Sequence, residues 1–476
     1  MANESSDLCF LSARELQGLI RTRKLSAHEL MAAHLQQINR VNPKINAIVA
    51  KLDDDKCLAL ADEADRRLAR REKIGPLHGL PIAVKDTEAA IGFPFTRGSL
   101  IYKDYMPTED TVLVERLRNA GVVPIGKTNV PEFGMGSHTF NKVYGTTVNP
   151  YDLTKSAGGS SGGAGAALAA GLLPVANGSD LAGSLRNPAN FNNVVALRPT
   201  VGLVPMAPAP LPLFGFTVKG PMARSVADAA FLLSVMAGPD PRDPGCHPSE
   251  PSAFAKPLDR SLEGVRVAWC PDLGGLPLDR RVRGVLETQR KTFTDLGCVV
   301  EDACPDLSGA DQIFLDIRAW QYSNVLGPLL EKHRDRMKPE AIWEIEAGAR
   351  LSGTDVARAM IQHGELIERM RRFQEKYEFM LCAVNQVPPF DATIDWPKAI
   401  EAVQMENYVA WMKSAYWITV TFRPAISVPA GFTSEGLPVG IQIVGRYRDD
   451  LGVLQIAHAF EQATSFGRKR PAIALS

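Results

Sequence analysis

Two serine-containing turns and one lysine carry side chains whose chemistry could support catalysis. Ser160 lies between glycine pairs in residues 158–163, and Ser184 lies in a second turn of small residues. Lys85 directly follows the apolar residues 80–84. A lysine at the end of a buried strand is poorly solvated, so it can lose its proton and act as a base. These residue types are those of nucleophilic catalysis, in which a base takes the proton of a serine hydroxyl.

The glycine- and serine-rich residues 158–163 have two other interpretations. Taken alone, they are typical of a flexible turn. They also contain the Gly-x-Ser-x-Gly pattern of a nucleophile elbow, but an elbow follows an apolar strand and residues 152–157 are mostly polar. The downstream histidines that an elbow needs lie in charged or helical contexts: His247, His333, His363 and His458. The elbow is therefore disfavoured.

Residues 121–128 match the spelling of a phosphate-binding P-loop. Pro124 has no N–H group to offer a phosphate, and the valines and isoleucine around it favour a buried strand. Pro131 interrupts the helix that should follow a P-loop. The sequence therefore argues against nucleotide binding.

The composition excludes several classes of protein. The chain has 476 residues, and 53 Lys and Arg residues balance 53 Asp and Glu residues. A formal net charge of zero gives no indication of binding to nucleic acid or to an anionic membrane. The long uncharged residues 156–179 are too rich in glycine and serine to span a membrane. We therefore expect small neutral molecules as binding partners.

Seven cysteines are scattered along the chain, and none forms a Cys-x-x-Cys pair. This predicts free, buried thiols in a reducing compartment, and neither a zinc site nor a redox site. The first ten residues lack the basic patch and apolar run of a signal peptide. We expect a cytoplasmic protein with no metal, no other cofactor and no membrane-spanning segment.

Short apolar runs alternate with helical patterns over most of the chain. Runs typical of buried strands are residues 80–84, 122–125, 173–176, 194–197, 265–269, 380–385, 425–428 and 439–444. The alternation predicts an α/β fold, a single large α/β/α layered domain whose mixed central sheet is covered by helices. We expect the late strands to join the same sheet as the earlier ones.

Three regions differ in composition and predicted secondary structure within this one predicted domain, residues 1–476. Residues 1–74 are helical in pattern. Residues 239–259 are dense in proline and predict a long surface excursion, because strand-like sequence resumes soon afterwards. Residues 279–376 are helical and charged, and we expect them on the substrate side.

Several stretches resemble the amidase signature family of serine hydrolases, and the resemblance covers nearly the whole chain. The matching stretches are residues 79–86, 126–133, 149–150, 158–163, 220–225 and 436–442. The family implies an amide (C–N) bond hydrolase with a Ser-Ser-Lys triad. Position by position, that triad maps onto Ser184 as nucleophile, Ser160 as bridging serine and Lys85 as terminal base. The chemistry agrees, because a neutral lysine acting through a second hydroxyl can activate a serine without histidine.

The turn that contains Ser184 is expected to stabilise the oxyanion. Its backbone N–H groups can point at one position, and they belong to Leu181, Ala182, Gly183 and Ser184. The family more often has glycine where this chain has Ala182, and alanine does not adopt a positive φ cheaply. Asp180 and Arg186 could pair and brace the turn.

Residues near the predicted triad suggest an apolar aryl or alkyl amide as substrate, cleaved to a carboxylic acid and an amine or ammonia. Candidate substrate contacts are Phe93, Met135, Gly136 and Ser137. The oligomeric state is open, and a homodimer is one option.

Two alternative functions use the same triad. One is the glutaminase component of a tRNA-dependent amidotransferase complex, which would need a partner and a polar glutamine pocket. The apolar side chains of Leu181, Leu185 and Phe422 argue against such a pocket. The other is a carbamate or cyclic-amide hydrolase, since these substrates follow the same tetrahedral route.

Overall fold

Helices and strands alternate along residues 8–213 and 215–475, the parts of the chain that the computed structural model describes. The strands are β1 (Ile48–Val49), β2 (Pro81–Lys85), β3 (Val123–Thr128), β4 (Val148–Asn149), β5 (Asp152–Ser156), β6 (Val175–Asp180), β7 (Val195–Arg198), β8 (Val218–Ala223), β9 (Arg266–Trp269), β10 (Val299–Asp302), β11 (Phe379–Ala383), β12 (Ala399–Ile400), β13 (Val403–Gln404), β14 (Ala425–Phe432) and β15 (Pro438–Val444). The α-helices are α1 (Ala13–Arg21), α2 (Ala27–Ile45), α3 (Asp54–Ala69), α4 (Val112–Asn119), α5 (Gly162–Ala169), α6 (Arg186–Phe191), α7 (Val226–Met236), α8 (Arg280–Asp295), α9 (Ala310–His333), α10 (Pro339–Ala349), α11 (Gly353–Lys376), α12 (Lys413–Thr419) and α13 (Asp450–Thr464). Short 3₁₀ turns lie at Glu132–Gly134, Pro251–Ala255, Arg334–Arg336, Ala410–Met412, Phe466–Arg468 and Ala472–Ala474.

A mixed sheet forms the centre of the described fold, with the strand order β10-β9-β11-β15-β14-β7-β8-β6. The strands β10, β9 and β11 run parallel, whereas the neighbouring pairs from β11 to β6 are antiparallel. Apolar residues of β7, β11, β14 and β15 are buried in one cluster with residues of α7 and α13. The predicted α/β class is confirmed, and the late strands do join the earlier ones.

A smaller sheet, β1-β3-β2, carries Lys85. The strand β2 runs parallel to β3, and all five of its residues are buried, the four apolar residues Pro81–Val84 and Lys85 at the end. The backbone N–H of Lys85 donates to Oδ1 of Asn177 on β6 at 3.2 Å, so the end of β2 meets the edge of the large sheet. Most of the P-loop-like stretch forms β3, so its backbone pairs with neighbouring strands.

The helical, charged region and the proline-rich region predicted from the sequence contain different secondary structure. Residues 279–376 hold α8 to α11 and also β10, which pairs with β9. The proline-rich residues 239–259 contain one 3₁₀ turn, Pro251–Ala255. The division of the chain into these regions, and its assignment as one domain, stay predictions.

None of the helices in the described ranges is long and apolar enough to cross a lipid bilayer. Residues 1–7, which make up most of the segment inspected for a signal peptide, lie outside the described residues.

Two of the seven cysteines form a disulfide, so the prediction that all of them are free thiols is wrong. Cys270 and Cys304 are bonded, and their Cα atoms lie 5.2 Å apart. Each follows one of two neighbouring parallel strands, in which Trp269 lies opposite Asp302. The pairing of β9 with β10 therefore brings together two cysteines that are distant in sequence. The other five cysteines are free.

The disulfide gives a first prediction, a count of thiols. Protein unfolded in denaturant without reductant should show five reactive thiols per chain, and protein reduced first should show seven, measured with a thiol-specific chromogenic reagent. In Cys304→Ser, the same six thiols should appear with and without reductant, because Cys270 then has no partner. Seven thiols in unreduced wild-type protein would contradict the pairing.

Candidate active site

The ammonium group of Lys85 lies among three serine hydroxyls at the end of β2. Its Nζ atom donates to Oγ of Ser160 at 2.8 Å, to Oγ of Ser161 at 2.8 Å and to Oγ of Ser179 at 2.9 Å. Ser160 and Ser161 belong to the glycine-rich turn before α5, and Ser179 belongs to β6. Lys85 is fully buried, with no accessible surface. The structure therefore places two of the three predicted triad residues in direct contact.

Burial of Lys85 lowers its pKa from the ordinary value of a lysine to about 7, although the negative charges of Glu88 and Asp180 act in the opposite direction. The carboxylates nearest to Lys85 in sequence are engaged by other cations. Asp86 pairs with Lys127 at 3.7 Å, and Glu88 pairs with the ammonium of another strand at 2.7 Å. Near neutral pH, Lys85 is therefore divided between its charged form and the neutral form that a general base needs.

The turn that follows β6 is built around the buried carboxylate of Asp180. Arg186 holds both of its oxygens, with Nη2–Oδ1 at 2.9 Å and Nε–Oδ2 at 3.0 Å, and Arg198 adds a contact at 3.3 Å. Burial alone would raise the pKa of Asp180, but the two guanidinium groups lower it well below its usual value. The predicted pairing of Asp180 with Arg186 is confirmed. This ion pair holds the turn in one shape, because separating the two groups would leave an unpaired buried charge.

In the turn 181–184, one backbone N–H group has a hydrogen-bond acceptor among the described residues and three do not. The Gly183 N–H donates to Oδ1 of Asp180 at 2.9 Å. The N–H groups of Leu181, Ala182 and Ser184 have no acceptor within the described ranges of the chain. The residue with positive φ is Gly183, at 100°, so Ala182 does not need that conformation. A Cβ atom at Gly183 would lie 2.5 Å from the Ala415 side chain, so glycine is required there.

The two serine turns lie against each other. The Ser161 N–H donates to the Ser184 carbonyl oxygen at 3.1 Å, and Ser160 and Ser184 are 3% and 8% exposed. No hydrogen bond joins the two predicted catalytic hydroxyls, Ser160 Oγ and Ser184 Oγ, among the residues described. The structure thus brings the turn of Ser184 beside the Lys85 cluster through the backbone contact of Ser161 with Ser184.

Residues 134–137 form one wall next to Ser160. A Cβ atom built on Gly134 would lie 3.6 Å from Oγ of Ser160. The Ser137 hydroxyl donates to the Gly159 carbonyl oxygen at 2.5 Å. Three of the predicted substrate contacts, Met135, Gly136 and Ser137, therefore belong to a segment adjacent to the predicted triad.

Phe93, the fourth predicted substrate contact, packs elsewhere. Its ring is buried in a cluster with Val84, Ala90 and Val114. Side chains of Val84 and Lys85 point to opposite faces of β2, because neighbours along a strand alternate. The ring therefore packs on the face of β2 away from Lys85, and the contact of Phe93 with substrate stays a prediction.

Sequence reasoning missed the contacts of Ser179 and Arg198. Ser179 was detectable, because Asn177 and Ser179 are two residues apart on β6 and so share the face that meets Lys85. Arg198 ends β7 and reaches Asp180 only through the pairing of β7, β8 and β6. No local sequence signal reports such a contact.

A cavity of about 320 Å³ opens next to the turn of Ser184. Most of its lining is apolar, and its polar side chains are those of Thr217, Asp243, Gln321 and Tyr322. Its wall includes Leu181, Met206, Leu211, Pro212, Val325 and Phe422. Within the described ranges, no group of His, Cys, Asp and Glu side chains is arranged to hold a metal ion.

Comparison with known proteins agrees with this geometry. The model of the family described as Amidase matches residues 29–454. The acylamidase of Rhodococcus erythropolis is 36% identical, covering 98% of this chain and 98% of its own length. A glutamyl-tRNA(Gln) amidotransferase component from Carboxydothermus hydrogenoformans is 32% identical, covering 98% of this chain and 99% of its own length.

Among solved structures, a bacterial aryl acylamidase of the amidase signature family is similar to this chain with a TM-score of 0.89. It is 27% identical, and the match covers 96% of this chain and 98% of that protein. The family match over most of the sequence, the relatives aligned along nearly their whole length and this likeness of fold agree: the chain belongs to the amidase signature family.

Proposed function

We propose that this amidase hydrolyses an apolar aryl or alkyl carboxamide through an acyl-enzyme on Ser184. Ser160 is the bridging serine and Lys85 the terminal base. The observation that carries the assignment is the 2.8 Å hydrogen bond between Nζ of Lys85 and Oγ of Ser160, made by a fully buried lysine. A base must both reach a hydroxyl and be partly neutral, and Lys85 meets both conditions.

The acylation step follows from this arrangement. Neutral Lys85 takes the proton of Ser160 while Ser160 takes the proton of Ser184, whose Oγ attacks the amide carbonyl carbon. The C–N bond then breaks as Ser160 passes a proton to the leaving nitrogen and recovers one from Lys85. Water attacks the resulting ester by the same proton path, which releases the carboxylic acid and restores Ser184. Turning of the Ser184 hydroxyl towards Ser160 accompanies substrate binding, since catalytic hydrogen bonds often tighten in the substrate complex.

The oxyanion of the tetrahedral intermediate is assigned to the turn 181–184. The N–H groups of Leu181, Ala182 and Ser184 support this role, because they are without acceptors in the described residues. The Gly183 N–H, the fourth predicted donor, is bonded to Asp180 and instead fixes the shape of the turn. An already ordered set of donors stabilises developing charge without reorganising during the reaction.

The substrate class is assigned from the cavity beside Leu181. Its apolar wall suits an aryl or alkyl group, and desolvating the charged amino and carboxylate groups of free glutamine there would be costly. The names of two relatives, an acylamidase and an aryl acylamidase, are consistent with this choice. Because one relative is an amidotransferase subunit, glutaminase activity is retained as an alternative function. Hydrolysis of a carbamate or a cyclic amide is a second alternative, which would use the same triad. A cytoplasmic location and a homodimer stay predictions.

Substitution of the two serines tests their roles. Ser184→Ala should lower amide turnover at least about 10⁴-fold, because it removes the attacking atom. Ser160→Ala should lower it about 10²- to 10³-fold and leave a measurable rate, because water can partly bridge to Lys85. An alkyl phosphonate should label Ser184, as located by peptide mass spectrometry. A label on Ser161 or Ser179 would contradict the assignment of the nucleophile.

The pH profile tests Lys85. Because the base acts in its neutral form and its pKa is about 7, kcat/KM should be low at acid pH, rise through about pH 7 and level off about one unit above it. Lys85→Arg should not restore activity, since guanidinium stays charged. Lys85→Ala should reduce amide hydrolysis much more than hydrolysis of activated esters, whose leaving groups need no proton. A flat profile between about pH 6 and 9, with chemistry rate-limiting, would exclude Lys85 as the base.

Substrate preference tests the cavity. The purified chain, without partners, should hydrolyse an apolar anilide with a far higher kcat/KM than glutamine. Val325→Thr adds a hydroxyl at nearly constant volume inside the cavity, and it should lower kcat/KM for the anilide about three- to tenfold. Val403→Thr is the matched control, since Val403 is 49% exposed and outside the cavity lining, and it should have no effect. Activity on glutamine alone, and only with added partner proteins, would favour the amidotransferase alternative.

A further inference from the structure

Another buried lysine, Lys338, makes two hydrogen bonds to the segment that lies beside Ser160, residues 132–137. It directly precedes α10. Its backbone N–H donates to Oε2 of Glu132 at 2.9 Å, and its Nζ donates to the Met135 carbonyl oxygen at 2.5 Å. One residue therefore bonds to the first residue of the 3₁₀ turn Glu132–Gly134 and to the residue that follows the turn.

The opposite side of the same segment faces the predicted catalytic residues. A Cβ atom at Gly134 would lie 3.6 Å from Oγ of Ser160. The Ser137 hydroxyl donates to the Gly159 carbonyl oxygen. Gly136 follows the same wall, and a Cβ atom there would lie 3.7 Å from Nζ of Lys338. The segment is thus a thin layer between the ammonium of Lys338 and the turn that holds Ser160.

Packing alone does not account for a lysine at this position. Lys338 is 9% exposed, and an ammonium group loses hydration when it is buried. A methionine has a similar length and would fill the space without that cost. Glu132 is also buried, and its second oxygen accepts a hydrogen bond from Ser99 at 2.7 Å. The backbone N–H of Lys338, the Glu132 carboxylate and the Ser99 hydroxyl are connected by hydrogen bonds, and the Lys338 ammonium adds a bond to the Met135 carbonyl oxygen that a methionine could not make.

We propose that Lys338 is a positioning residue, which holds residues 132–137 against Ser160 through its hydrogen bonds to Glu132 and Met135. This inference rests on the proposed role of Ser160 in returning a proton to the leaving nitrogen. A wall that moves away lets the Ser160 hydroxyl leave the line between Lys85 and the leaving group. Amide cleavage then slows more than ester cleavage, because only the amide nitrogen needs the proton.

The test compares an anilide with an activated aryl ester of the same acyl group. Active sites are counted by phosphonate titration, so misfolded protein does not enter the rates. Lys338→Met should lower the ratio of amide to ester turnover about tenfold, the effect expected for a lost hydrogen bond to a charged group. Lys332→Met is the matched control on the exposed end of α9 and should leave the ratio unchanged. A purely structural role would lower the number of active sites and leave the ratio as it was.

Two further variants separate the role of Lys338 from the role of Ser160 and from a failure to fold. Ser160→Ala should lower the same ratio strongly, and an unchanged ratio there would refute the proposed function of Ser160 itself. If Ser160→Ala behaves as expected and folded Lys338→Met keeps the wild-type ratio, only the role of Lys338 is overturned. If Lys338→Met does not fold, Lys338→Gln takes its place, since it also removes the ammonium that donates to the Met135 carbonyl oxygen. A reduced ratio in Lys338→Gln supports the inference, and a wild-type ratio overturns it.

Discussion

Burial of Lys85 without an ion pair to a carboxylate is the constraint on which the site depends. An exposed lysine would hold its proton at neutral pH, and a lysine bonded to a carboxylate would hold it more firmly. The fold prevents both outcomes. Strand β2 is covered on all sides, and Asp86 and Glu88, the acidic residues next in sequence, are each paired with another lysine. Three serine hydroxyls and, at 3.5 Å, the Ser179 carbonyl oxygen surround Nζ of Lys85, and hydroxyls can pass protons in either direction.

The surroundings of Asp180 stabilise its charged form, whereas burial destabilises the charged form of Lys85. Asp180 is held in its charged form by Arg186 and Arg198, so it does not compete for the proton of Lys85. Arg186 also donates to the Ala415 carbonyl oxygen and to Gln442 on β15, which ties the turn of Ser184 to the centre of the large sheet. Removing one partner of such a buried network leaves an uncompensated charge, so the network specifies the shape of the turn. The Lys85 cluster, to which we assign proton transfer, and the charged Asp180 network therefore lie side by side with separate proposed functions.

Local patterns in the sequence predicted the parts of the structure that depend on neighbours along the chain. The apolar run before Lys85 predicted a buried strand, and the alternation of strands and helices predicted the mixed sheet. The errors concern contacts between distant segments. The bond between Cys270 and Cys304 depends on β9 pairing with β10, and the missed contact of Arg198 with Asp180 depends on the pairing of β7, β8 and β6. Which strands are neighbours in a sheet cannot be read from a local run of residues.

Catalytic groups and the apolar cavity come from different elements of the fold. Lys85, Ser160 and Ser184 lie at the ends of β2 and β6 and in the turn before α5, whereas the cavity is lined by residues 201–217, by α9 and by Phe422 after α12. In the proposed mechanism Leu181 belongs to both, because its N–H is one of the assigned oxyanion donors and the residue also lines the cavity. Changes confined to the cavity can therefore alter which acyl or amine group is bound while the proton path stays intact. A change of backbone at Leu181 would affect both, since the same residue places the carbonyl oxygen and limits the space beside it.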